Sequence, residues 1–325
     1  MSYNATEIKQ PITDEMAAFE PYFKNALKAP YRLLSLVTNY ILRRKGKQMR
    51  PMLVFLSAKA AGTIGDSTYA AATLIELLHT ATLVHDDVVD ETYQRRGQWS
   101  VNAIWNSKVS ILVGDFFLAR GLNIALEGNH YDVLRIVSDA VSEISEGELI
   151  QIEHARKLDI TEESYFEVIR KKTATLIAAC TKAGAFSSGA PTEVVEALYN
   201  YGINLGIAFQ IRDDIFDYEK SSLLGKPSGN DIKERKLTLP VIFALANAPA
   251  EEAKNMRSMI RRHYKKDKTA KAVTDFVVRH GGIDYSIAKM NEYSSLAKNA
   301  LDILPDSDAK KSLIALVDYN IQRKK

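Results

Sequence analysis

The sequence has one cysteine and almost no excess of charge. Because Cys180 is the only cysteine among 325 residues, no disulfide can form within the chain, and a reducing compartment is expected. Lysine and arginine number 43 against 40 aspartates and glutamates, and no dense basic tract contains interleaved aromatic residues. This balance argues against nucleic acid as a partner. We therefore expect a cytoplasmic protein.

Long hydrophobic runs and flexible linkers are also missing. The N-terminus is polar and mixed in charge, which predicts no signal peptide, and no apolar run reaches the roughly 18 residues of a membrane span. Any membrane contact is therefore expected to be peripheral. No low-complexity stretch or Pro/Gly/Ser-rich linker divides the chain, so we expect a single domain over residues 1–325.

Hydrophobic residues at helical spacing are what the sequence contains instead. Met16, Phe19 and Phe23 begin a period that continues along most of the chain, without convincing strand alternation. The segments 67–92 and 191–219 are apolar along most of their length, which is typical of helices inside a bundle. The pattern predicts an all-α fold of roughly ten or more helices.

An acidic triplet stands at the end of the first of these segments. Asp86, Asp87 and Asp90 are spaced so that Asp86 and Asp90 share one helix face and Asp87 lies beside them. Like charges this close are unfavourable unless a cation or a proton neutralises them. Mg²⁺ suits such a cluster, since it accepts carboxylate oxygens and keeps water or phosphate in its other positions. Alone, the triplet fits a metal site and a solvated acidic helix end equally well.

A second triplet repeats the spacing 127 residues later. Asp213, Asp214 and Asp217 again lie near the C-terminal end of a predicted buried helix. Two such clusters are explained together if they face one another across a cavity and share metal ions through a polyanionic ligand. The pair therefore favours metal binding over two unrelated helix ends.

Basic residues near both triplets indicate the anion. Arg95 and Arg96 follow the first triplet, and guanidinium groups match phosphate oxygens geometrically. Further cations stand at a helix junction, in an alanine-rich helix and around the loop after the second triplet: Lys47, Arg50, Lys171, Lys172, Lys226 and Lys236. Each alone is most simply a surface charge. Together with the triplets they describe a site for two diphosphates, one held through metal and one held directly.

Six stretches extend this pattern over most of the chain: GKQMRP, HTATLVHDDVVDETYQRRG, VGDFFLARG, KTATL, FQIRDDIFDY and GKPSGNDIKERKLTLP. In this order they resemble the all-trans isoprenyl diphosphate synthases, and most of all the long-chain octaprenyl and heptaprenyl types. The resemblance implies the isoprenoid synthase fold, a single-domain helical bundle around a deep central cavity. Class I terpene cyclases are less similar, because their second metal motif mixes Asn, Ser and Glu.

The implied activity is that of a Mg²⁺-dependent prenyltransferase. An allylic diphosphate would condense with successive isopentenyl diphosphate units, head to tail and in trans geometry, to a long-chain polyprenyl diphosphate for quinone side chains. The released pyrophosphate would accept the proton, since no dedicated general base is evident. A short-chain farnesyl or geranylgeranyl diphosphate synthase is the first alternative. A class I terpene cyclase and a non-catalytic subunit of the same fold are the others.

The resemblance also implies roles for the matching residues. Mg²⁺, as three ions with substrate bound, would be held by Asp86, Asp87, Asp90, Asp213, Asp214 and Asp217. The allylic diphosphate would be held by Arg95, Lys172 and Lys236, with Lys226 as a further substrate-binding residue. Isopentenyl diphosphate would be held by Lys47, Arg50, His79 and Arg96. The oxygens of Thr173 and Gln210 would face the developing carbocation. A lone histidine such as His79 is more often a satisfied core residue, and only its motif context favours the pocket.

The residues just before the first triplet predict the length of the product. Thr82 and Leu78 lie on the face that runs back from Asp86, with Ala81 one step round, and successive members are about 6 Å apart. In short-chain relatives of the resembled family, bulky aromatic residues commonly stand four or five positions before the first aspartate. Here Thr82 and Ala81 leave room, which favours hexaprenyl to decaprenyl products. The alternative is that these small residues merely admit a neighbouring helix.

Two further expectations concern the molecule's surface. The resemblance implies a homodimer, for which an apolar bundle helix offers the interface. The basic segment Arg323-Lys324-Lys325 either folds over the diphosphate site or frays into solvent, and fraying is the default expectation.

Overall fold

The computed structural model describes residues 4–29, 31–43, 48–95, 97–223 and 230–323. Within these ranges the chain forms 17 α-helices, which confirms the predicted all-α fold. In chain order they are α1 (Ala5–Lys9), α2 (Thr13–Ala26), α3 (Arg32–Leu42), α4 (Met49–Ala61), α5 (Asp66–Val89), α6 (Val101–Trp105), α7 (Ser107–Glu127), α8 (Tyr131–Lys157), α9 (Glu162–Ile169), α10 (Thr175–Ser187), α11 (Thr192–Leu223), α12 (Asn230–Lys233), α13 (Leu239–Asn247), α14 (Ala250–His263), α15 (Asp267–Arg279), α16 (Gly282–Asn299) and α17 (Asp308–Gln322).

Three short elements interrupt the helices. A 3₁₀ turn at Gln10–Ile12 precedes α2, and a π-turn at Arg170–Ala174 joins α9 to α10. After α5 the chain forms an antiparallel hairpin of β1 (Gln94–Arg95) and β2 (Gln98–Trp99). Strands were not predicted here, because a two-residue strand is too short to produce an alternating pattern. Gly97, with a φ of 76°, allows the chain to reverse between them.

The two predicted interior segments are confirmed as the long helices α5, of 24 residues, and α11, of 32 residues. α5 packs along α7, while α11 packs against α10 and α16. Most of the apolar side chains of α5 are buried between these neighbours. The first triplet therefore stands where α5 leaves the core, whereas α11 continues past the second triplet.

Close packing of α11 against the π-turn brings functional residues together. A Cβ atom on Gly206 would lie 2.4 Å from the Cα of Ala174, so only glycine permits this approach. One turn further along α11, Gln210 accepts a hydrogen bond of 2.8 Å from the hydroxyl of Thr173 in the π-turn. The fold thus positions two residues that are 37 apart in sequence.

The helix α7 combines an apolar sequence with an exposed face. Among the described residues, it is the one helix whose length and mean hydropathy would allow a membrane crossing, although charged residues interrupt its apolar run. Only 33% of its most apolar stretch is buried. Its exposed face carries four large apolar side chains: Ile111, Leu112, Leu122 and Leu126.

Candidate active site

The first triplet is divided between two environments. Asp87 is 5% exposed, and its Oδ1 accepts a hydrogen bond of 2.9 Å from Nε of Arg95, which the hairpin places beside it. Burial raises the pKa of Asp86, and the neighbouring charges of Asp90 and Glu148 raise it further. Asp87 is therefore neutralised by arginine, whereas Asp86 and Asp90 repel one another as the helical spacing predicts.

The second triplet is anchored through its middle residue. Asp214 is 4% exposed, and its two carboxylate oxygens accept hydrogen bonds from the hydroxyl of Tyr165 at 2.6 Å and the amide of Gln210 at 2.8 Å. Burial, followed by the charge of Asp231, raises the pKa of Asp214 to about 8. Since Gln210 also accepts from Thr173 at 2.8 Å, a continuous hydrogen-bonded chain runs from the π-turn to Asp214.

Asp213 has a partner that contradicts the expected fraying of the basic C-terminal segment. Nη2 of Arg323 donates to Oδ1 of Asp213 at 2.6 Å and to the carbonyl of Phe209 at 3.3 Å. Its guanidinium also lies 4.0 Å from the centre of the Phe209 ring. The prediction of a solvated tail is wrong for Arg323, because a carboxylate and an aromatic face together hold it. Lys324 and Lys325 lie outside the described residues.

The predicted diphosphate lysines occupy defined positions. Nζ of Lys172 forms an ion pair with Glu148 and donates to Oε1 of Gln151 at 2.7 Å. Nζ of Lys236 pairs with Glu234 at 2.5 Å. Burial would lower the pKa of Lys236, but the nearby carboxylates raise it. Lys236 is thus kept charged, as binding to a diphosphate requires.

A cavity of about 190 Å³ joins these residues. Its walls come from α8, α9, the π-turn, α11 and residues 231–238, and they include Lys172, Thr173, Gln210, Asp214, Asp231 and Lys236. Asp86 interacts with Lys172 in the cavity wall, because the charge of Lys172 lowers the pKa of Asp86. Burial and the charges of Asp90 and Glu148 have the larger effect and raise that pKa. Lys172 therefore acts on Asp86 of the first triplet and lines the same cavity as Asp214 of the second.

The residues assigned to isopentenyl diphosphate are only partly described. Arg50 lies in the first turn of α4. Burial raises the pKa of Glu76, and the nearby charge of Arg50 opposes that rise. His79 is half-buried on α5, and its carbonyl accepts a 2.9 Å hydrogen bond from the hydroxyl of Thr82.

Asp217, the last residue of the second triplet, accepts a hydrogen bond of 3.2 Å from the backbone of Asp231. Lys47, Arg96 and Lys226 lie outside the described residues.

The residues predicted to set product length are packed tightly. Ala81 is fully buried in a cluster that includes Val113 and Phe117 of α7, and Leu78 is 7% exposed. Neither these residues nor Thr82 line the 190 Å³ cavity. Ala81 thus admits a neighbouring helix, as the alternative interpretation holds, and its role in product length stays a prediction.

The donor set fits a hard divalent cation that also binds substrate. Among the described residues, no three His, Cys, Asp or Glu side chains converge to hold a metal ion by themselves. The available donors are nevertheless carboxylate oxygens, and burial raises the pKa of both Asp86 and Asp214. A cation with water or phosphate in its remaining positions would offset the unfavourable charge on both residues.

Four residues of the site were not singled out from the sequence: Glu148, Gln151, Tyr165 and Asp231. On α8, Glu148 and Gln151 look like members of a solvated polar face, and Tyr165 looks like a core aromatic residue. Asp231 stands within the quoted motif GKPSGNDIKERKLTLP, which is the one signal that marks it. Their roles follow from tertiary contacts that spacing does not encode.

Comparison with known proteins gives a consistent result. The polyprenyl synthetase family model matches residues 31–277. The chain is 36% identical over 321 residues to the all-trans-nonaprenyl-diphosphate synthase (geranyl-diphosphate specific) of Rhodobacter capsulatus, covering 98% of this chain and 97% of that protein. A decaprenyl diphosphate synthase structure from the same organism matches with a TM-score of 0.92 and 37% identity, covering 98% of this chain and 99% of that one. A polyprenyl synthase from Caulobacter crescentus, complexed with calcium and isoprenyl diphosphate, has a TM-score of 0.90 and 32% identity, covering 100% of this chain and 99% of that one.

The helical bundle, its paired acidic triplets and this similarity define a trans-prenyltransferase of isoprenoid biosynthesis. The chain belongs to the polyprenyl synthetase family. It is accordingly an enzyme that makes polyprenyl diphosphates.

Proposed function

We propose that this enzyme extends an allylic diphosphate with successive isopentenyl diphosphate units to a long-chain polyprenyl diphosphate for quinone side chains. The observation that carries the proposal is the position of Lys172, which lines a cavity with Asp214 and acts electrostatically on Asp86. A cation between two acidic clusters suits a diphosphate that bridges metal ions. The long-chain relative and neighbour named above support the product class.

The metal in this proposal is Mg²⁺, as three ions with substrate bound. Asp86, Asp87 and Asp90 on one side and Asp213, Asp214 and Asp217 on the other would hold the ions, and Arg95, which pairs with Asp87, would bind the allylic diphosphate. When bound, Mg²⁺ supplies positive charge that stabilises the departing diphosphate. The calcium in the Caulobacter crescentus complex supports a divalent cation in the family.

The chain's own residues orient the two substrates. Lys172, Lys236 and Arg95 bind the allylic diphosphate, while Arg50 and His79, with Lys47 and Arg96, bind isopentenyl diphosphate. Lys226 is a further substrate-binding residue. The oxygens of Thr173 and Gln210 face the allylic carbon, where their lone pairs stabilise positive charge. The released pyrophosphate accepts the proton in this scheme, and the buried helices around the site exclude water.

Product length is the finer part of the proposal. Ala81 and Thr82 are smaller than the aromatic residues of short-chain synthases, so a growing tail passes them and stops further along α5, near Leu78 or beyond. The product is then a hexaprenyl to decaprenyl diphosphate. A short-chain product is the alternative, since the full burial of Ala81 also suits simple helix packing.

The proposed assembly is a cytoplasmic homodimer. The four exposed apolar side chains of α7, Ile111, Leu112, Leu122 and Leu126, support an interface with a second copy, because a monomer rarely exposes so many along one helix. Peripheral contact with a membrane accompanies product release, since a long prenyl chain in water is strongly unfavourable.

Incubation of the purified enzyme with farnesyl diphosphate, isopentenyl diphosphate and Mg²⁺ tests the function. We expect consumption of several isopentenyl units and long-chain alcohols by chromatography after dephosphorylation. Products that end at farnesyl or geranylgeranyl length would favour the short-chain alternative. A cyclic hydrocarbon without consumption of isopentenyl diphosphate would contradict the proposal altogether.

Replacing Asp86 and Asp87 by alanine tests the metal assignment. We expect turnover to fall by at least about a thousandfold, because the loss of metal-borne charge at the diphosphate raises the barrier by several kcal/mol. Asp306→Ala is the matched control, since that side chain is 98% exposed and should leave turnover unchanged. Wild-type turnover in the double variant would reject the metal role of the first triplet.

A further inference from the structure

Two adjacent lysines of the π-turn are directed to different carboxylates of α8. Nζ of Lys171 pairs with Glu146 at 2.5 Å, and neither residue lines the cavity. Nζ of Lys172 pairs with Glu148 and also donates to Gln151 at 2.7 Å. Glu148 faces the active site, since its charge acts on both Asp86 and Lys236. Lys171 is therefore held away from the cavity, whereas Lys172 is held in the cavity wall.

Gly147 is the point at which α8 meets the π-turn. A Cβ atom there would lie 2.8 Å from the Cβ of Lys171 and 3.0 Å from the backbone nitrogen of Lys172. The backbone of the two lysines therefore rests directly on α8. Glu146 and Glu148 flank this contact, and residues two apart in an α-helix point about 200° apart. Glu146 and Glu148 therefore bind Lys171 and Lys172 on opposite sides of the contact at Gly147.

The register of this contact is fixed one turn earlier on α8. Oε2 of Glu143 accepts hydrogen bonds from Nη1 of Arg170 at 2.9 Å and from the hydroxyl of Thr175 at 2.8 Å. Arg170 begins the π-turn and Thr175 follows it, so one carboxylate anchors both ends. The π-turn cannot rotate without breaking these bonds, and Lys172 leaves it in one direction.

We propose that Glu148 is a positioning residue: with Gln151, it holds the ammonium group of Lys172 where the allylic diphosphate binds. This inference rests on the role of Lys172 in the proposed function. A free lysine side chain loses much rotational freedom on binding, and a partner that orders it beforehand reduces that loss. Glu148 acts through Lys172 and needs no contact with the substrate. The negative charge of Glu148 also repels the diphosphate. Loss of Glu148 should raise the KM for the allylic diphosphate if ordering of Lys172 dominates, and lower it if repulsion dominates. The sign of the change in KM therefore distinguishes the two effects.

Steady-state kinetics of Glu148→Ala measure that sign. We expect the KM for the allylic diphosphate to rise about tenfold, as for loss of a charged hydrogen bond, and the KM for isopentenyl diphosphate to stay within about twofold. Glu146→Ala is the matched control on the same helix, and both its KM values should stay within about twofold. Glu148→Gln keeps an acceptor for Lys172 and should recover part of the loss. A lower allylic KM in Glu148→Ala would overturn the proposal, because repulsion would then dominate.

A double-mutant cycle shows whether Glu148 acts through Lys172. If it does, Glu148→Ala should add nothing to the loss caused by Lys172→Ala, whereas multiplied losses would overturn the inference. Binding of an unreactive thio analogue of the allylic diphosphate should follow the same pattern, with circular dichroism as the check on folding. An unchanged allylic KM in Lys172→Ala would reject the proposed role of Lys172, and this inference with it. Failure confined to Glu148 leaves that role intact.

Discussion

At the scale of single residues, two buried carboxylates of the triplets are stabilised differently. The guanidinium of Arg95 pairs with Asp87, whereas Asp214 receives only the neutral donors of Tyr165 and Gln210. Burial and the charge of Asp231 raise the pKa of Asp214 to about 8, because the two neutral donors offset these effects only in part. Burial without a cationic partner therefore favours the protonated form of Asp214.

Asp214 should make the stability of the metal-free enzyme depend on pH. Its folded pKa of about 8 lies above the ordinary value of 3.8, so between these values the folded chain holds a proton that the unfolded chain has released. The resulting contribution to the free energy of unfolding is fully present below the ordinary pKa of Asp214. It is lost as pH rises through the folded pKa. In urea titrations, we expect the free energy of unfolding to fall more steeply from about pH 5 to about pH 8 in the wild type than in Asp214→Asn. Equal slopes would contradict the assignment.

At the scale of elements, the sequence was sufficient where a feature is local. The spacing of Asp86 with Asp90 predicted their common helix face, and apolar periodicity predicted α5 and α11. The π-turn was not predictable in this way, because packing of Gly147 and Gly206 against it determines its place. Arg323 reaches Asp213 over 110 residues of sequence, and a basic segment contains no signal for such a partner.

Ala81→Phe tests whether α5 also limits product length. If the tail passes this position, we expect shorter products by chromatography, together with a loss of stability of about 1–3 kcal/mol from overpacking. Ala71→Phe is the control, since Ala71 is fully buried on the same helix roughly 15 Å further from the triplet. It should lower stability without changing product length. Unchanged products in Ala81→Phe would make Ala81 a packing residue only.

At the scale of the whole molecule, the exposed apolar face of α7 is the surface proposed to meet a second copy. α5 covers its other face, and Ala81 and Phe117 meet in that contact. An interface on α7 would therefore lie one helix away from the residues proposed to limit the product. Assembly and product length are expected to be coupled through this helix pair.

Leu112→Asp with Leu122→Asp should convert the proposed dimer into a monomer. Two buried charges at an apolar interface are strongly unfavourable, and each side chain is exposed in the single chain, at 58% and 47%. Light scattering after gel filtration gives the mass directly. Leu296→Asp is the control on α16, where the side chain is 45% exposed. A monomeric wild type would reject the dimer, and co-sedimentation with anionic vesicles would then assign the apolar face to a membrane surface.

The π-turn has a consequence for how this chain tolerates insertions and deletions. Its hydrogen bonds span one residue more than those of an α-helix, so losing one residue from Arg170–Ala174 would leave an unbroken helix from α9 to α10. Because the π-turn already accommodates the extra residue, the helices on either side would keep nearly the same relative orientation, and only the side chains of the π-turn itself would change direction. Lys172 and Thr173 would leave the site although the helix remained intact. A one-residue length change here is therefore a change of active-site chemistry, whereas the same change in a surface loop is silent.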